Sequence, residues 1–180
     1  MIKKILIGLV ALVAVFLIVA AFQPDDYRVS RSASITAEPS VVFARVNDLK
    51  KWDAWSPWEK LDPAMKKTYE GPAAGTGASY TWAGNSKVGE GRCTITESRP
   101  NEIIRTRLDF KKPFESTCTA DFTFKQTGRQ TEITWTMQGK NNFIGKAMCL
   151  VMNMDKMVGG QFEEGLASLK KISESSPQKG

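Results

Sequence analysis

Chemistry in this chain has to come from carboxylates, arginines, tyrosines and three cysteines, because its 180 residues include no histidine. The side chain that most often acts as a general base near neutral pH, and the commonest zinc ligand, is therefore missing. Serine–histidine and cysteine–histidine nucleophile pairs are excluded with it. Cys93, Cys118 and Cys149 have no CxxC spacing and cannot all pair within one molecule, so they read as small buried apolar residues. No glycine loop opens a helix to cradle phosphate, since Gly71, Gly75 and Gly77 lead into an extended segment. Two polar groups sit in apolar phases. Glu97 shares the spacing of Cys93 and Ile95, with strand-end solvation as its competing account, and Arg31 falls on the apolar side of the first strand. Asp53, Glu59 and Asp62 suit turns and caps. No catalytic set emerges, and neither a metal nor a cofactor is expected.

The other concentration of unusual side chains is KKWDAWSPWEKLDP, residues 50–63, where Trp52, Trp55 and Trp58 recur at intervals of three around Pro57. Proline disfavours the α conformation at the residue before it, so the three indoles do not share one continuous helix. Trp52 is expected to finish the first helix of the domain, with Trp55 and Trp58 flanking a bend. Such rings either plug a core or, for at least one of Trp55 and Trp58, line the mouth of a cavity.

The elements that must position these residues are set by periodicity. Residues 5–22, ILIGLVALVAVFLIVAAF, form an uncharged run behind Lys3 and Lys4. As a helix the run would extend roughly 27 Å, close to the roughly 30 Å hydrocarbon thickness of a bilayer. It reads as a retained anchor longer than the usual hydrophobic region of a signal peptide; a cleaved signal ending near Val19-Ala20-Ala21 is the alternative. Either way the lysines put the amino terminus in the cytoplasm and send residues 23–180 across the membrane, to a periplasmic or extracellular location. Tyr27 to Ile35 alternates as a first strand, and Pro39 opens a helix carrying Val42, Phe43, Val46 and Leu49. From about residue 66 to 139 the period becomes two with recurrent turn signals, an antiparallel meander. Val151, Met154, Val158, Phe162, Leu166, Leu169 and Ile172 then return to helical spacing and predict a long final helix covering the sheet. The domain boundaries are 1–24 for the anchor and linker, 25–173 for the globular domain, and 174–180 for a disordered tail.

This order of elements resembles the helix-grip fold of the START and Bet v 1-like superfamily, and in detail its polyketide cyclase/dehydrase branch, SRPBCC. The resemblance rests on Trp55-Ser56-Pro57-Trp58 with Asp62-Pro63, Gly75 to Ala78, Tyr80 to Trp82 leading to Gly84-Asn85, and Val88 to Gly91. Arg99-Pro100-Asn101, Phe110 with Pro113, and Thr134-Trp135 to Gly139 complete it over about residues 27–172. It implies an α+β fold: a curved antiparallel sheet of about seven strands around a long C-terminal helix, here preceded by an N-terminal transmembrane helix. It also implies a cavity between sheet and helix for an apolar or aromatic ligand.

The inward phase of the elements nominates Trp55, Trp58, Tyr80, Trp82, Cys93, Ile95, Leu108, Phe110, Cys118, Phe122, Trp135 and Met137, with Met152 and Phe162 from the final helix. Plain core is the competing role for each. Four of the chain's seven methionines fall within residues 148–157, and flexible thioethers suit a surface that accepts varied shapes. Gly159-Gly160 and Gly165 cost the helix about 1 kcal/mol each relative to alanine, which either close approach to the sheet or a kink beside a portal would offset.

Enclosing about 300 Å² of apolar ligand surface yields about 7 kcal/mol, against association costs of at least about 4 kcal/mol, enough for binding without oriented polar groups. The function expected is membrane-tethered binding of a small hydrophobic or lipid-like ligand for carriage, sensing or sequestration. A cyclase or dehydratase acting on an aromatic or polyketide-like substrate, or an interaction domain with a filled core, are the alternatives. The net charge of +6 comes from scattered pairs such as Lys66-Lys67 and Lys111-Lys112, a solvated surface rather than a nucleic-acid footprint. The expected partners are the small hydrophobic ligand and the membrane; no protein partner is indicated.

Overall fold

The computed structural model describes residues 2–151 and 153–175. Helix α1 (Ile2–Ala21) leads into strand β1 (Asp26–Ile35), helix α2 (Pro39–Val46), a 3-10 turn (Leu49–Ala54) and the short helix α3 (Pro57–Leu61). Six strands come next as a meander: β2 (Lys66–Glu70), β3 (Ser79–Ala83), β4 (Glu90–Arg99), β5 (Ile103–Lys112), β6 (Ser116–Thr127) and β7 (Gln130–Lys140). Helices α4 (Phe143–Val151) and α5 (Met154–Glu174) close the chain. The sheet is antiparallel throughout in the order β1-β7-β6-β5-β4-β3-β2, so the first strand pairs with the last, Asp26 opposite Lys140 and Ile35 opposite Thr131.

Alternation along the strands delivers one apolar face, and α5 packs on it with Phe162, Leu166 and Leu169 buried. Helix α2 adds Val42, Phe43 and Val46 to the same core. Its start obeys the rule that proline suits the first helical position: Glu38 is extended and Pro39 opens the helix. The helix ends at Val46, however. Trp52 belongs to the separate 3-10 turn, which Asp48 caps by accepting the Lys50 N–H at 3.0 Å. Pro57 acts as expected: Ser56 is extended at ψ 130°, and the chain re-enters a helix with Pro57 at its first turn.

Two sequence expectations change. Glu97 does not face inward. Ile95 lies opposite Thr106 and Glu97 opposite Arg105, so Thr96 is an extra residue, and with a side-chain period of two the bulge turns Glu97 to the outer face. There its carboxylate meets Arg105 and Arg99, each at 3.0 Å. The single final helix is two: α4 closes at Val151, and Asn153, extended at ψ 93°, caps α5, its side chain accepting the Lys156 N–H at 2.9 Å. Glu174, the expected start of the tail, is the last residue of α5 and accepts the Thr36 N–H at 2.7 Å; residues 176–180 lie outside the described residues.

Arg31 keeps its inward phase and turns it to structural use. Its guanidinium reaches from β1 to α5, with Nε 2.7 Å from Glu163 and NH2 3.0 Å from Asp155. The helix passes over this group at Gly159, where any Cβ would collide with the guanidinium. At Gly165 a Cβ would stand 2.9 Å from Trp135 Cζ3 and 3.0 Å from Pro57 Cδ, whereas at Gly160 it would meet nothing within 4 Å. Close approach therefore accounts for two of the three glycines, and α5 runs unbroken across all of them. Gly160→Ala should raise stability by about 0.5–1 kcal/mol. Gly165→Ala should lower it by about 1 kcal/mol, an overpacking cost of about 1–3 kcal/mol less the propensity gain. Denaturant unfolding measures both, and effects of the same sign would contradict this packing.

Candidate functional site

A cavity of about 380 Å³ lies between the inner face of the sheet and α5, within the about 300–1,000 Å³ usual for small-molecule sites. The sheet contributes Tyr80 and Trp82 from β3, Thr106, Leu108 and Phe110 from β5, Ala120 from β6, and Trp135 and Met137 from β7. Opposite them stand Val158 and Phe162 with Met148, Met154 and Met157. One end is stopped by Trp52, Ser56 and Trp58, while Met65 and Val88 border the cavity beside the β3–β4 turn. At the other, Tyr27, Lys112-Pro113-Phe114 and Ser116 form a lip where Phe114 and Met157 are 49% and 45% exposed.

The stopped end is built by the tryptophan segment. Trp55 is fully buried, 5.1 Å from Trp52 and 5.6 Å from Trp135 between ring centroids. Trp135 in turn stacks on Phe162 at 4.0 Å, nearly parallel, and meets Trp58 edge-on at 5.6 Å. Two indole N–H groups in this cluster find backbone acceptors, Trp52 Nε1 the Val46 carbonyl at 2.8 Å and Trp55 Nε1 the Arg45 carbonyl at 3.3 Å, whereas Trp135 Nε1 is buried without one. Behind the cluster, Lys67 is gripped by Asp53 and Glu59. Burial works against its charge, but hydrogen bonds to the two carboxylates outweigh it and hold the ammonium above its ordinary pKa. Asp53 and Glu59 thus tie the tryptophan segment to β2 rather than capping turns. Asp62 does bridge turns, accepting the Ala64 and Asn85 N–H groups at 3.1 and 2.7 Å.

Of the residues nominated from sequence, Trp58, Tyr80, Trp82, Leu108, Phe110, Trp135, Met137 and Phe162 line the cavity. Trp55, Cys93, Ile95, Cys118 and Phe122 do not; they are buried in the packed part of the core. Inward phase is common to both groups. Phe122 and Trp55 sit at the end that aromatic rings fill, and the small cysteines lie in the pleat beneath larger neighbours. Met152 lies outside the described residues. Residues the sequence did not single out as lining include Tyr27, Met65, Val88, Thr106 and the lip residues Lys112 to Phe114. Tyr27 has the phase of Val29 and Arg31, which is the signal that could have found it, and its hydroxyl lies beside Cys118 and Cys149.

The lining is chemically quiet. Burial pushes the Tyr80 hydroxyl well above its usual range and that of Tyr27 upward, so both stay protonated at neutral pH. The Thr106 hydroxyl is committed to the Ala120 carbonyl at 3.0 Å. Burial likewise pushes the Cys93 thiol up to about 12 and the Cys118 thiol up to about 11, leaving no thiolate nucleophile. Lys112, at the lip, pairs with Glu90 at 2.7 Å and is the only charged residue among the described lining. No group of three or more metal-ligating side chains occurs among the described residues. The arrangement can enclose an apolar body and offer it protonated hydroxyls; no carboxylate or histidine stands among the described lining residues.

A family model described as "Polyketide cyclase / dehydrase and lipid transport" matches residues 26–174. Among solved structures, a Rhizobium leguminosarum protein is 12% identical with a TM-score of 0.62, covering 84% of this chain and 97% of its own. A Chromobacterium violaceum protein is 14% identical with a TM-score of 0.60, over 85% of this chain and 99% of its own. Ara h 8.0201 is 11% identical with a TM-score of 0.55, over 84% and 99%. At these identities the likeness is one of fold. No curated protein matches the sequence.

The thiols supply a test. Iodoacetamide at pH 8 should modify Cys149 well before Cys93 and Cys118, with denaturant exposing all three to peptide mass spectrometry. A folded Cys93 pKa of about 12 against an ordinary value of 9.0 means the unfolded chain loses this proton first. The stability it contributes is complete below about pH 9 and is lost as pH rises toward about 12. Cys93→Ala should therefore flatten the alkaline limb of the stability profile.

Proposed function

The chain belongs to the polyketide cyclase/dehydrase and lipid transport family of SRPBCC type, and from that membership we propose that it binds a small hydrophobic or lipid-like molecule in the sheet–helix cavity while tethered to a membrane. The observation that carries this reading is an apolar cavity of about 380 Å³ with no ionised group in its interior. Buried apolar surface supplies the affinity, and the protonated hydroxyls of Tyr27 and Tyr80 can orient a polar end. The methionines on the helix side adapt to different ligand outlines. Carriage, sensing or sequestration all begin with this binding step.

A cyclase or dehydratase is the second reading, favoured by the same two tyrosines as proton donors. It would need a base to remove a proton from the substrate, and no carboxylate or histidine stands among the described lining residues. An interaction domain with a filled core fits less well, because space remains in the core.

The tether is α1. Over an 18-residue stretch of this 20-residue helix the mean hydropathy is 2.8, and only Ala20 is buried. At 1.5 Å per residue the helix matches the roughly 30 Å hydrocarbon core. With Lys3 and Lys4 held in the cytoplasm, the domain lies on the far side of the membrane, periplasmic or extracellular.

Titrating the detergent-solubilised full chain with a series of fatty acids, sterols and aromatic compounds should change tryptophan emission saturably, because Trp58, Trp82 and Trp135 line the cavity. Ala120→Phe, which fills the space from the floor of the sheet, should weaken the response about tenfold or more with circular dichroism unchanged, about 1.4 kcal/mol or more of lost binding. Absence of any response, together with native mass spectrometry showing no co-purifying small molecule, would remove the reading.

A further inference from the structure

We infer that the open lip of the cavity is a bilayer-docking face, so that the ligand is a molecule dissolved in the membrane and passes into the cavity without crossing water. This rests on the reading of α1 as a retained span and of the cavity as a ligand site, and adds where the ligand comes from.

The register of the sheet fixes the geometry. Asp26 of β1 lies opposite Lys140 of β7, Cys118 opposite Gly139, and Phe110 opposite Ser116, so the start of β1, the end of β7 and the β5–β6 turn share one end of the sheet. That end carries the lip. Only residues 22–25 separate α1 from β1, and four residues reach at most about 14 Å. The linker is also fastened: the Asn141 N–H donates to the Asp25 carbonyl at 2.6 Å, and Lys146 of α4 pairs with Asp25 and donates to the Ala21 carbonyl at 3.4 Å. Helix α4 packs on α1. A spanning α1 therefore leaves the lip little room to be anywhere but at the membrane surface.

The surface itself agrees. Outside α1, the exposed large apolar residues among those described are Phe22, Phe114, Phe143, Ile144, Val151 and Met157, carried by the linker, the β5–β6 turn, α4 and the first turn of α5. Phe22 is 85% and Val151 72% exposed. Scattered single apolar residues are ordinary on a surface, but their confinement to these four segments marks an interaction face. Phe114 and Met157 belong to the cavity wall as well, so the apolar surface runs from the face into the interior. Charge around the rim is balanced, Lys111, Lys112, Lys140 and Lys146 against Asp25, Asp26, Glu90 and Glu115. Docking is thus driven by apolar burial and is independent of anionic lipid.

The full chain, carrying Cys149→Ser to leave only the buried Cys93 and Cys118, is reconstituted in phosphatidylcholine vesicles with a fluorophore at Phe114→Cys, Val151→Cys or, as the far-end control in the β6–β7 turn, Arg129→Cys. Lipids bearing a shallow nitroxide should quench the labels at 114 and 151 and spare 129, with the same pattern in high salt. Quenching at 114 and 151 no greater than at 129, or cross-links joining this face to a second copy, would overturn the docking. A chain carrying Phe143→Asp, Ile144→Asp and Val151→Asp, none of them cavity residues, should take up a fluorescent fatty acid from vesicles about tenfold more slowly while binding it unchanged from detergent solution. Equal uptake rates would overturn the proposed route. If the native chain binds the probe from neither source, the cavity-binding reading fails, and the quenching pattern still decides the docking.

Discussion

The concave face of a seven-stranded antiparallel sheet is larger than one helix can cover, and every other feature of the domain answers to that mismatch. Helix α5 fills the middle with Phe162, Leu166 and Leu169. The segment between β1 and β2 fills one end, folding Trp52, Trp55 and Trp58 into an aromatic block against Phe122 and Trp135. The other end is left to methionines and a lip of half-exposed residues, and there the space persists as a cavity. The tryptophans in the proline-broken segment are thus mostly a plug, with Trp58 and one edge of Trp52 forming the wall where the plug stops.

Holding α5 at the right height over this face falls to polar groups. Arg31 spans from β1 to Asp155 and Glu163, and its two carboxylate partners lie about one turn before and one turn after Gly159. The ion pairs are half open to water and contribute modestly to stability, but they are directional and fix where the helix crosses the sheet. A side chain placed in an apolar phase, which from sequence alone suggests a functional group, here serves alignment. Lys67 plays the matching part for the tryptophan segment, which Asp53 and Glu59 draw onto β2.

The fold was legible in the sequence because its signals are local and periodic: strand alternation, the Pro39 and Pro57 helix starts, and the three- and four-residue spacing from Met154 to Ile172. The expectations that failed were those in which one residue resets a count. Thr96 bulges and sends Glu97 outward, and Asn153 caps a second helix where hydrophobic spacing joins the two into one. The site was legible by face but not by depth. Alternation places Cys93, Ile95, Cys118 and Phe122 on the same inner surface as Trp82, Leu108 and Met137, and only the three-dimensional position of the aromatic block separates packed residues from lining ones. The lip was invisible because Lys112, Pro113 and Phe114 form a turn whose composition says nothing of what it borders.

The pairing of β1 with β7 also governs how the protein is made. Arg31 and Val29 emerge early in synthesis, yet their partners Trp135 and Met137 are more than a hundred residues away. A strand whose only neighbour is that remote must wait unpaired while the intervening hairpins, whose contacts are local, assemble first. Final closure therefore brings a nearly complete meander back to a strand already moored beside α1, and the last seam to form lies next to the linker that joins the domain to its apolar helix.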